Sequence, residues 1–403
     1  MEAFFKDLKH SLRMFAGSPA FTIAAVAALT LGIGANAAIF SVVDAVLLKP
    51  VGVMDPDRVV VFINTSPRGP GGPAASPAKF MHYRQQTGIV QDVAAFNTGV
   101  MNYTGGEFPE QLKSGRVSAD FFKLAGAPML LGRSFTEAED RPAGPNVAVI
   151  SRSLWETRFS ADPNMVGKSI SLGGEPYTIV GVLNTFDFRD YGPTPQVWTL
   201  FQFDPNTSDQ GHYFQAMARL KPGVTVQQAY ARMQASANDY RAKFPKALGP
   251  KAAFGVLPIR DAIVRGDVKA SLYVYLGAVA FVLLIACANV ANLLLVRAAG
   301  RASEVAVRTA LGAGRRQLLG QSLAESMLIA VGGAVLGTVL AVVVVHVLRT
   351  GVIVALPRMQ DVSVDARVLA FAAALAIATG LVFGLVPALH ASGWDIVTIL
   401  RSG

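Results

Sequence analysis

Cysteine and charge are both scarce in this sequence of 403 residues. The one cysteine, Cys287, lies inside an apolar run, so no intramolecular disulfide can form. Only 16% of the residues are charged, whereas 52% are hydrophobic and the mean hydropathy is +0.41. These values exclude an ordinary soluble protein and indicate a membrane protein.

Motifs for catalysis and for metal binding are also missing. No G-x-x-x-x-G-K-[ST] motif occurs, and the nearest glycine-rich stretch, Gly312 to Arg316, lacks the lysine and the hydroxyl that hold phosphates and magnesium. No G-x-S-x-G or H-E-x-x-H motif is present, and the five histidines have no metal-ligand spacing. Glu137, Glu139 and Asp140 fall in a turn-rich acidic stretch, which is more typical of a solvated loop than of an acid–base pair. We therefore expect no catalytic residue, cofactor or metal in this chain, and ATP hydrolysis by that route is excluded.

Long apolar runs are what the sequence has instead. The first run, residues 20–43, is about 24 residues long, and a helix of that length crosses a hydrocarbon core of about 30 Å. Three more runs cover residues 272–296, 322–348 and 368–389. A cleaved signal peptide is the alternative for the first run, because residues 35–37 resemble a cleavage site, but the run continues beyond them. The sequence therefore predicts four transmembrane helices.

Basic residues lie beside the apolar runs and predict the orientation of the chain. The short segment between the second and third runs holds one acidic residue, Glu304, and an excess of arginine, which marks the cytoplasmic side. The segment before the first run predicts an amphipathic helix with a basic face on the same leaflet. We therefore expect both termini in the cytoplasm and residues 50–267 outside it, and anionic lipid rather than nucleic acid explains the net charge of +9. The basic residues concerned are Lys6, Lys9, Arg13, Arg297, Arg301, Arg308, Arg315 and Arg316.

Residues 297–320 have the pattern of a short amphipathic helix. Val305, Arg308 and Gly312 recur at helical spacing. Glu304 precedes Arg308 by four residues, the favourable order for an ion pair on a helix. We expect this helix to lie against the inner membrane surface.

The region from residue 50 to residue 267 has no run long enough to span a membrane, and turn residues and aromatics dominate it. Its length suffices for a sizeable core, and the sequence predicts an α+β domain of two subdomains. The clearest pattern is β-α-β at its end. There a strand near residues 214–220 precedes a helix with a capping box of Thr225 and Gln228, and residues 253–257 form the returning strand.

Polar residues inside the predicted spans need hydrogen-bond partners. Asn289 and Asn292 lie about a turn apart near the cytoplasmic end of the second span, where cross-helix hydrogen bonds are worth about 0.6 to 2 kcal/mol. Packing within the protomer and contact across a dimer are equally compatible with this position.

Glu325 lies where the chain re-enters the membrane, and we expect it to pair with the basic segment near Arg315 and Arg316.

Small residues recur at four-residue spacing in the last two spans. The pairs Gly333 and Gly337, and Gly380 and Gly384, would let helix backbones approach closely. Pro387 is expected to end or kink the fourth span.

Several motifs together resemble a known family. The basic segment and the start of the third span resemble the FtsX-like permease domain of the MacB family, and stretches at residues 116–122, 131–135, 147–151 and 166–182 resemble that family's extracytoplasmic domain. Residues 50–56 depart from the family, because they lack its usual proline–tyrosine pair. The permease motifs are Arg301-x-x-Glu304-x-Ala306-x-Arg308-x-Ala310-Leu311-Gly312-Ala313, Gln321-x-x-x-Glu325-Ser326 and Gly332-Gly333-x-x-x-Gly337.

This resemblance implies a permease subunit of an ABC transporter in the bacterial inner membrane. Residues 1–49 would hold the amphipathic helix and first span, residues 50–267 a MacB-like periplasmic core domain, and residues 268–403 an FtsX-like permease domain. The segment 297–320 would be a coupling helix on a separate cytosolic ATPase, which would bind ATP and magnesium. The coupling residues would be Arg301, Glu304, Arg308, Leu311, Gly312, Arg315 and Arg316.

The resemblance also implies partners and a mode of action. The chain would act as a homodimer or with a related permease, and an outer periplasmic adaptor is a further candidate partner. Motion driven by ATP would pass to the outer domain for export or efflux. Lipoprotein release and regulation of cell-wall hydrolases are alternatives within the family. A membrane-anchored sensor or binding module is the alternative from another class.

Overall fold

A computed structural model of the chain describes residues 15, 18–106, 108–186, 188, 190, 192–264, 266–300, 315–350 and 358–391. The helices are α1 (Pro19–Val43), α2 (Pro77–Arg84), α3 (Phe121–Ala125), α4 (Arg152–Arg158), α5 (Val226–Lys243), α6 (Ile259–Ile263), α7 (Gly266–Gly300), α8 (Arg315–Thr350) and α9 (Ala366–Ala391). The strands are β1 (Val59–Ser66), β2 (Gly69–Pro70), β3 (Ala74–Ala75), β4 (Val90–Tyr103), β5 (Glu110–Val117), β6 (Met129–Gly132), β7 (Val147–Ser151), β8 (Ser169–Leu172), β9 (Glu175–Leu183), β10 (Val197–Leu200), β11 (Phe214–Leu220) and β12 (Ala253–Pro258).

The chain divides into two compact units. One consists of Met1–Lys49 and Gly266–Gly403, and we call it the membrane unit. The other is Pro50–Arg265, and we call it the inserted domain. Its end lies two residues before the predicted boundary at residue 267.

Four helices of the membrane unit, α1, α7, α8 and α9, are long and apolar enough to cross a membrane. They contain the four predicted apolar runs, so the prediction of four spans is confirmed. Helix α9 continues to Ala391, so Pro387 does not end it, and the alternative of a kink at Pro387 stays a prediction.

The predicted bounds of the coupling helix, residues 297–320, are too wide. Helix α7 continues to Gly300, and α8 begins at Arg315. Arginine, alanine, glutamine and leucine at these two ends favour a helix, so each span helix continues past its apolar run. Residues 301–314 lie outside the described part of the chain.

The inserted domain is built on one sheet, in the strand order β12-β1-β11-β4-β5-β10-β7-β9-β6. Strand β1 pairs antiparallel with β12 on one side and with β11 on the other, so the beginning and the end of the domain meet in the sheet. The predicted β-α-β unit is β11, α5 and β12, and β1 lies between its two strands. Its helix begins with the predicted capping box, in which the Gln228 amide donates to Thr225 Oγ1 at 3.2 Å.

Strand β4 joins the two halves of this sheet. Its first half pairs with β11, from Val90 to Phe96, and its second half pairs with β5, from Phe96 to Tyr103. The two predicted subdomains therefore share one continuous sheet.

Side chains that alternate along the strands divide the core between the two faces of the sheet. Val59 and Val61 face a core that includes Phe121 and Phe122 of α3, whereas Val60 and Phe62 face a core under α2 and α5. A third cluster packs Leu154 of α4 against the far half of the sheet. Because helices cover both faces of β1, its residues form a continuous apolar run.

The core that includes α3 leads to a prediction about the free energy of unfolding. Phe121 is fully buried against the rings of Phe96, Phe122 and Phe188. We expect Phe121→Ala to destabilise the inserted domain by about 3 to 5 kcal/mol through loss of contacts and a new cavity. The same change at Phe108, which is 74% exposed, should cost less than about 0.5 kcal/mol. Unfolding of the full chain in detergent, followed by tryptophan fluorescence, measures both, and equal effects would contradict this account of the core.

Candidate functional site

The helices α1 and α8 approach each other at glycines. A β-carbon at Gly34 would lie 2.9 Å from the carbonyl oxygen of Gly337, and one at Gly337 would lie 3.0 Å from the backbone nitrogen of Gly34. A β-carbon at Gly333 would lie 2.5 Å from that of Leu29. Larger side chains would therefore separate the two helices. The structure places the predicted pair, Gly333 and Gly337, in this contact.

Helix α8 meets α9 at Gly380, the first glycine of the second predicted pair. A β-carbon at Gly380 would lie 2.7 Å from the sulfur of Met327, and the hydroxyl of Ser326 donates to the Gly380 carbonyl at 2.8 Å. Gly384 lies one turn further along α9. The donor Ser326 belongs to one of the family motifs, but its bond across the helices was not predicted.

Asn36 is the polar contact that joins α1 to α7. Its side chain is 3% exposed, and its amide donates to the carbonyl of Gly32 at 2.8 Å and to that of Val279 at 2.7 Å. Both acceptors are helix backbone groups, so the amide is satisfied without a second polar side chain. The sequence pattern that could have indicated this contact is a single asparagine within the first apolar run.

Asn289 and Asn292 lie on the face of α7 that is turned away from the other described spans. Both side chains are exposed, whereas Leu283, Ala286 and Val290 form the buried stripe of α7. Only 22% of the apolar stretch of this helix is buried, compared with 33% to 44% for the other three spans. Among the described residues, α7 therefore turns a different face to its neighbouring helices than the one that holds these two asparagines.

The span ends that flank the basic segment include part of the predicted coupling site. The guanidinium of Arg297 lies 4.7 Å from the ring centroid of Phe21 and 5.5 Å from that of Phe15, distances typical of cation–π contacts. Glu325 is half-buried on α8, and its pairing with the basic segment stays a prediction. Arg315 and Arg316 begin helix α8. The other predicted coupling residues, Arg301, Glu304, Arg308, Leu311 and Gly312, lie outside the described residues.

A cluster of charged residues joins the other ends of α1 and α9. Asp44 is 3% exposed and opens a π-helical segment, Asp44–Leu48, and Arg367 lies 3.4 Å from its carboxylate. Arg358 donates to the carbonyl of Lys49 at 2.9 Å, and the Lys49 ammonium donates to the carbonyl of Asp361 at 2.9 Å. We call these five residues the polar collar. The sequence indicated their charges but not their pairing, because the partners lie more than 300 residues apart.

The acidic stretch of the inserted domain is structural. Glu139 is 7% exposed and accepts hydrogen bonds from Arg133 at 2.7 and 3.0 Å, and the Arg133 guanidinium holds the pKa of this carboxyl below its usual range. Asp140 accepts from the amides of Ala119 and Gln202 at 2.9 and 2.8 Å, while burial raises its pKa. The expected solvated loop is thus wrong for Glu139, because the loop folds back onto Arg133. Among the described residues, no three histidine, cysteine or acidic side chains are placed to hold a metal.

Four close-packed spans, with an α+β domain inserted after the first, define a class of polytopic membrane protein. The model of the MacB-like periplasmic core domain matches residues 22–236, and that of the FtsX-like permease C-terminal domain matches residues 276–395. The chain belongs to this MacB-like and FtsX-like family of ABC transporter permeases. It is therefore a membrane protein with an extracytoplasmic segment. The predicted family and fold class are both confirmed.

Similar proteins are longer than this chain. The macrolide export ATP-binding/permease protein MacB of Nitrosomonas europaea is 30% identical over 282 residues, which are 67% of this chain and 40% of that protein. The pyoverdine export ATP-binding/permease protein PvdT of Pseudomonas fluorescens strain Pf0-1 is 27% identical over 322 residues, 76% of this chain and 44% of that protein. The chain thus spans less than half the length of these relatives.

Solved structures also resemble the chain. The periplasmic region of MacB from Actinobacillus actinomycetemcomitans covers 54% of this chain and 92% of its own, with 13% identity and a TM-score of 0.37. The extracellular domain of the noncanonic ABC-type transporter YknZ from Gram-positive bacteria covers 49% and 99%, with 15% identity and a TM-score of 0.36.

The contact between α1 and α8 generates a second prediction. We expect Gly337→Val to destabilise the membrane unit by about 1 to 3 kcal/mol, because the new side chain would overlap the backbone of α1. Gly277→Val is the matched control, since nothing lies within 4 Å of a β-carbon built there. Thermal unfolding of both purified variants in the same detergent makes the comparison. Equal melting temperatures for the two variants would show that the close approach is not needed for stability.

Proposed function

We propose that this permease transmits ATP-driven motion from a separate cytosolic ATPase to its inserted domain. The observation that carries the proposal is the close packing of the spans. Backbone contacts join α1 to α8, and side chain to backbone hydrogen bonds join α1 to α7 and α8 to α9. Helices locked in this way move together, which suits a lever better than a pore that must open between them.

The ATPase would act on the segment between α7 and α8. Arg297 lies in the last turn of α7, next to this segment, and stacks on Phe15 and Phe21, so a force on the segment would also reach α1. Arg301, Glu304, Arg308, Leu311, Gly312, Arg315 and Arg316 are the residues that we propose to contact the ATPase. ATP and magnesium would bind to that partner, and this chain would hold no cofactor.

The process that this motion drives would be export. The names of MacB and PvdT describe export of macrolides and of pyoverdine by those proteins. We propose that this chain likewise serves export or efflux from a bacterial inner membrane, with both termini in the cytoplasm. A periplasmic adaptor on the inserted domain completes the proposed assembly.

A second copy of the chain would cover the exposed face of α7. This face holds Asn289 and Asn292 within an apolar span, and lipid offers their amides no hydrogen-bond partner. An asparagine amide both donates and accepts, so the same residues on two copies can pair about a two-fold axis. A homodimer satisfies these groups, as would a paired related permease.

Charge reversal tests the proposed ATPase contact. Glu304→Lys and Arg308→Glu, made separately, should each weaken co-purification of the ATPase from native membrane by roughly tenfold, because each places like charges four residues apart. Arg232→Glu, an exposed position on α5 of the inserted domain, is the control and should retain the ATPase. Unchanged ATPase binding and activity in both variants would remove this segment from the coupling site. Failure of the wild-type chain to bring down any ATPase would favour a membrane-anchored sensor.

Disulfide cross-linking tests the proposed dimer face. With Cys287→Ser as background, Asn292→Cys should form a covalent dimer on mild oxidation in membranes. Val343→Cys, which is 53% exposed on α8, is the control for random collision and should remain monomeric. Equal cross-linking at the two positions, or none at Asn292→Cys, would exclude α7 as the dimer face.

A further inference from the structure

Lys79 is a buried lysine in the inserted domain, and neutral groups surround its ammonium. The residue is 3% exposed, and its Nζ lies 2.5 Å from Asn64 Oδ1 and 2.6 Å from His212 Nε2. The ring centroid of Phe254 lies 5.8 Å from the same nitrogen. Burial lowers the pKa of Lys79 to about 8, so the group is mostly charged at neutral pH and donates to an uncharged His212.

The histidine belongs to residues 201–213, which cross from β10 to β11. Two further hydrogen bonds hold the same stretch in place. The Asp209 carbonyl accepts from the Ala78 amide at 3.1 Å, in the first turn of α2, and Gln210 Oε1 accepts from the Tyr240 hydroxyl of α5 at 2.7 Å. We call residues 204–213 the strap, because these contacts tie it across α2 and α5.

Protonation of His212 would reverse its contact with Lys79. A protonated Nε2 cannot accept a hydrogen bond, and the charged ring would then face the ammonium of the buried Lys79 at 2.6 Å. Burial and the Lys79 charge both lower the pKa of His212, so the neutral ring that holds the strap persists to a lower pH than an ordinary histidine would.

The groups around the Lys79 ammonium carry no negative charge that would offset a second cation, whereas His212 itself is exposed. Beta strands β1 and β12 contribute the uncharged Asn64 and Phe254. On α5, Tyr240, whose pKa is raised by burial, contacts the strap at Gln210. Within the strap, the Asp209 carboxylate accepts from the Gly211 amide at 2.8 Å and from the Tyr213 hydroxyl at 3.0 Å.

We propose that the contact between His212 and Lys79 is an acid-sensitive latch, which holds the strap on α2 at neutral pH and releases it on acidification. The strap bears Pro205 and follows Phe203, and both line a cavity of about 140 Å³ with Phe80 and Met81 of α2. Release would open this cavity and uncover the ring of Phe80, which now lies 5.7 Å from that of Phe203. The latch makes the surface of the inserted domain depend on the pH of its own compartment.

Hydrogen exchange on the full chain in detergent tests the latch. Exchange of residues 201–213 and of the first turn of α2, corrected for the intrinsic rate at each pH, should rise roughly tenfold from pH 7.5 to pH 5.5. His212→Gln keeps an acceptor but does not titrate, so its exchange should stay low at both values. Lys79→Met lacks the opposing cation, so its exchange should be raised at pH 7.5 and should not rise further at pH 5.5.

His82 requires a control, because burial lowers its pKa as well. It lies 3.0 Å from the Ser236 hydroxyl on α5, where Asp239 and Lys243 are the charges that act on it. His82→Gln should leave the pH response of the strap intact, and exchange within α5 should not change with pH in the wild type. An unchanged strap in the wild type, or an equal rise in His212→Gln, would overturn the proposal. Loss of the response in His82→Gln alone would also overturn it.

Discussion

The close approach of α1 and α8 is the contact on which the membrane unit depends. Gly34 and Gly337 lie about 300 residues apart in the chain, yet a single added carbon at either position would meet the backbone of the other helix. Around this contact, Asn36 binds α7 and Ser326 binds α9 through backbone carbonyls. The fully buried side chains of Leu29 and Ile33 fill the space between these contacts. Such a bundle resists separation of its helices, which the proposed transmission of a displacement requires.

The sheet of the inserted domain also joins segments that lie far apart in the sequence. Strand β1, at its beginning, pairs with β11 and β12, at its end, so the ends of a 216-residue insertion are joined by main-chain hydrogen bonds. Strand β4 continues the same sheet into the second half of the domain. A movement of the first strands would therefore reach the far strands without a flexible joint between them. This continuity supports a mechanical role for the domain, and the strap on α2 adds a part that could respond to acid.

The sequence predicted features that depend on local pattern and failed on contacts between distant residues. Apolar length predicted the four spans, and Thr225 with Gln228 predicted the start of α5. Glycine spacing predicted which faces of α8 and α9 approach a neighbour, but not which helix each would meet. The partners in the polar collar, such as Asp44 and Arg367, could not be predicted, since single-sequence patterns carry no information about pairs so far apart. Glu139 shows the same limit, because its acidic neighbours indicated a solvated loop while the fold placed it against Arg133.

We propose that the basic segment lies on the cytoplasmic side of the membrane and the inserted domain on the outer side. Labelling with a membrane-impermeant maleimide tests it most directly, with Cys287→Ser as the background. Gln111→Cys, an exposed position on β5, should react in intact spheroplasts. Ser303→Cys, in the basic segment, should react only after the membrane is permeabilised. Reaction of both cysteines from the same side would contradict the account.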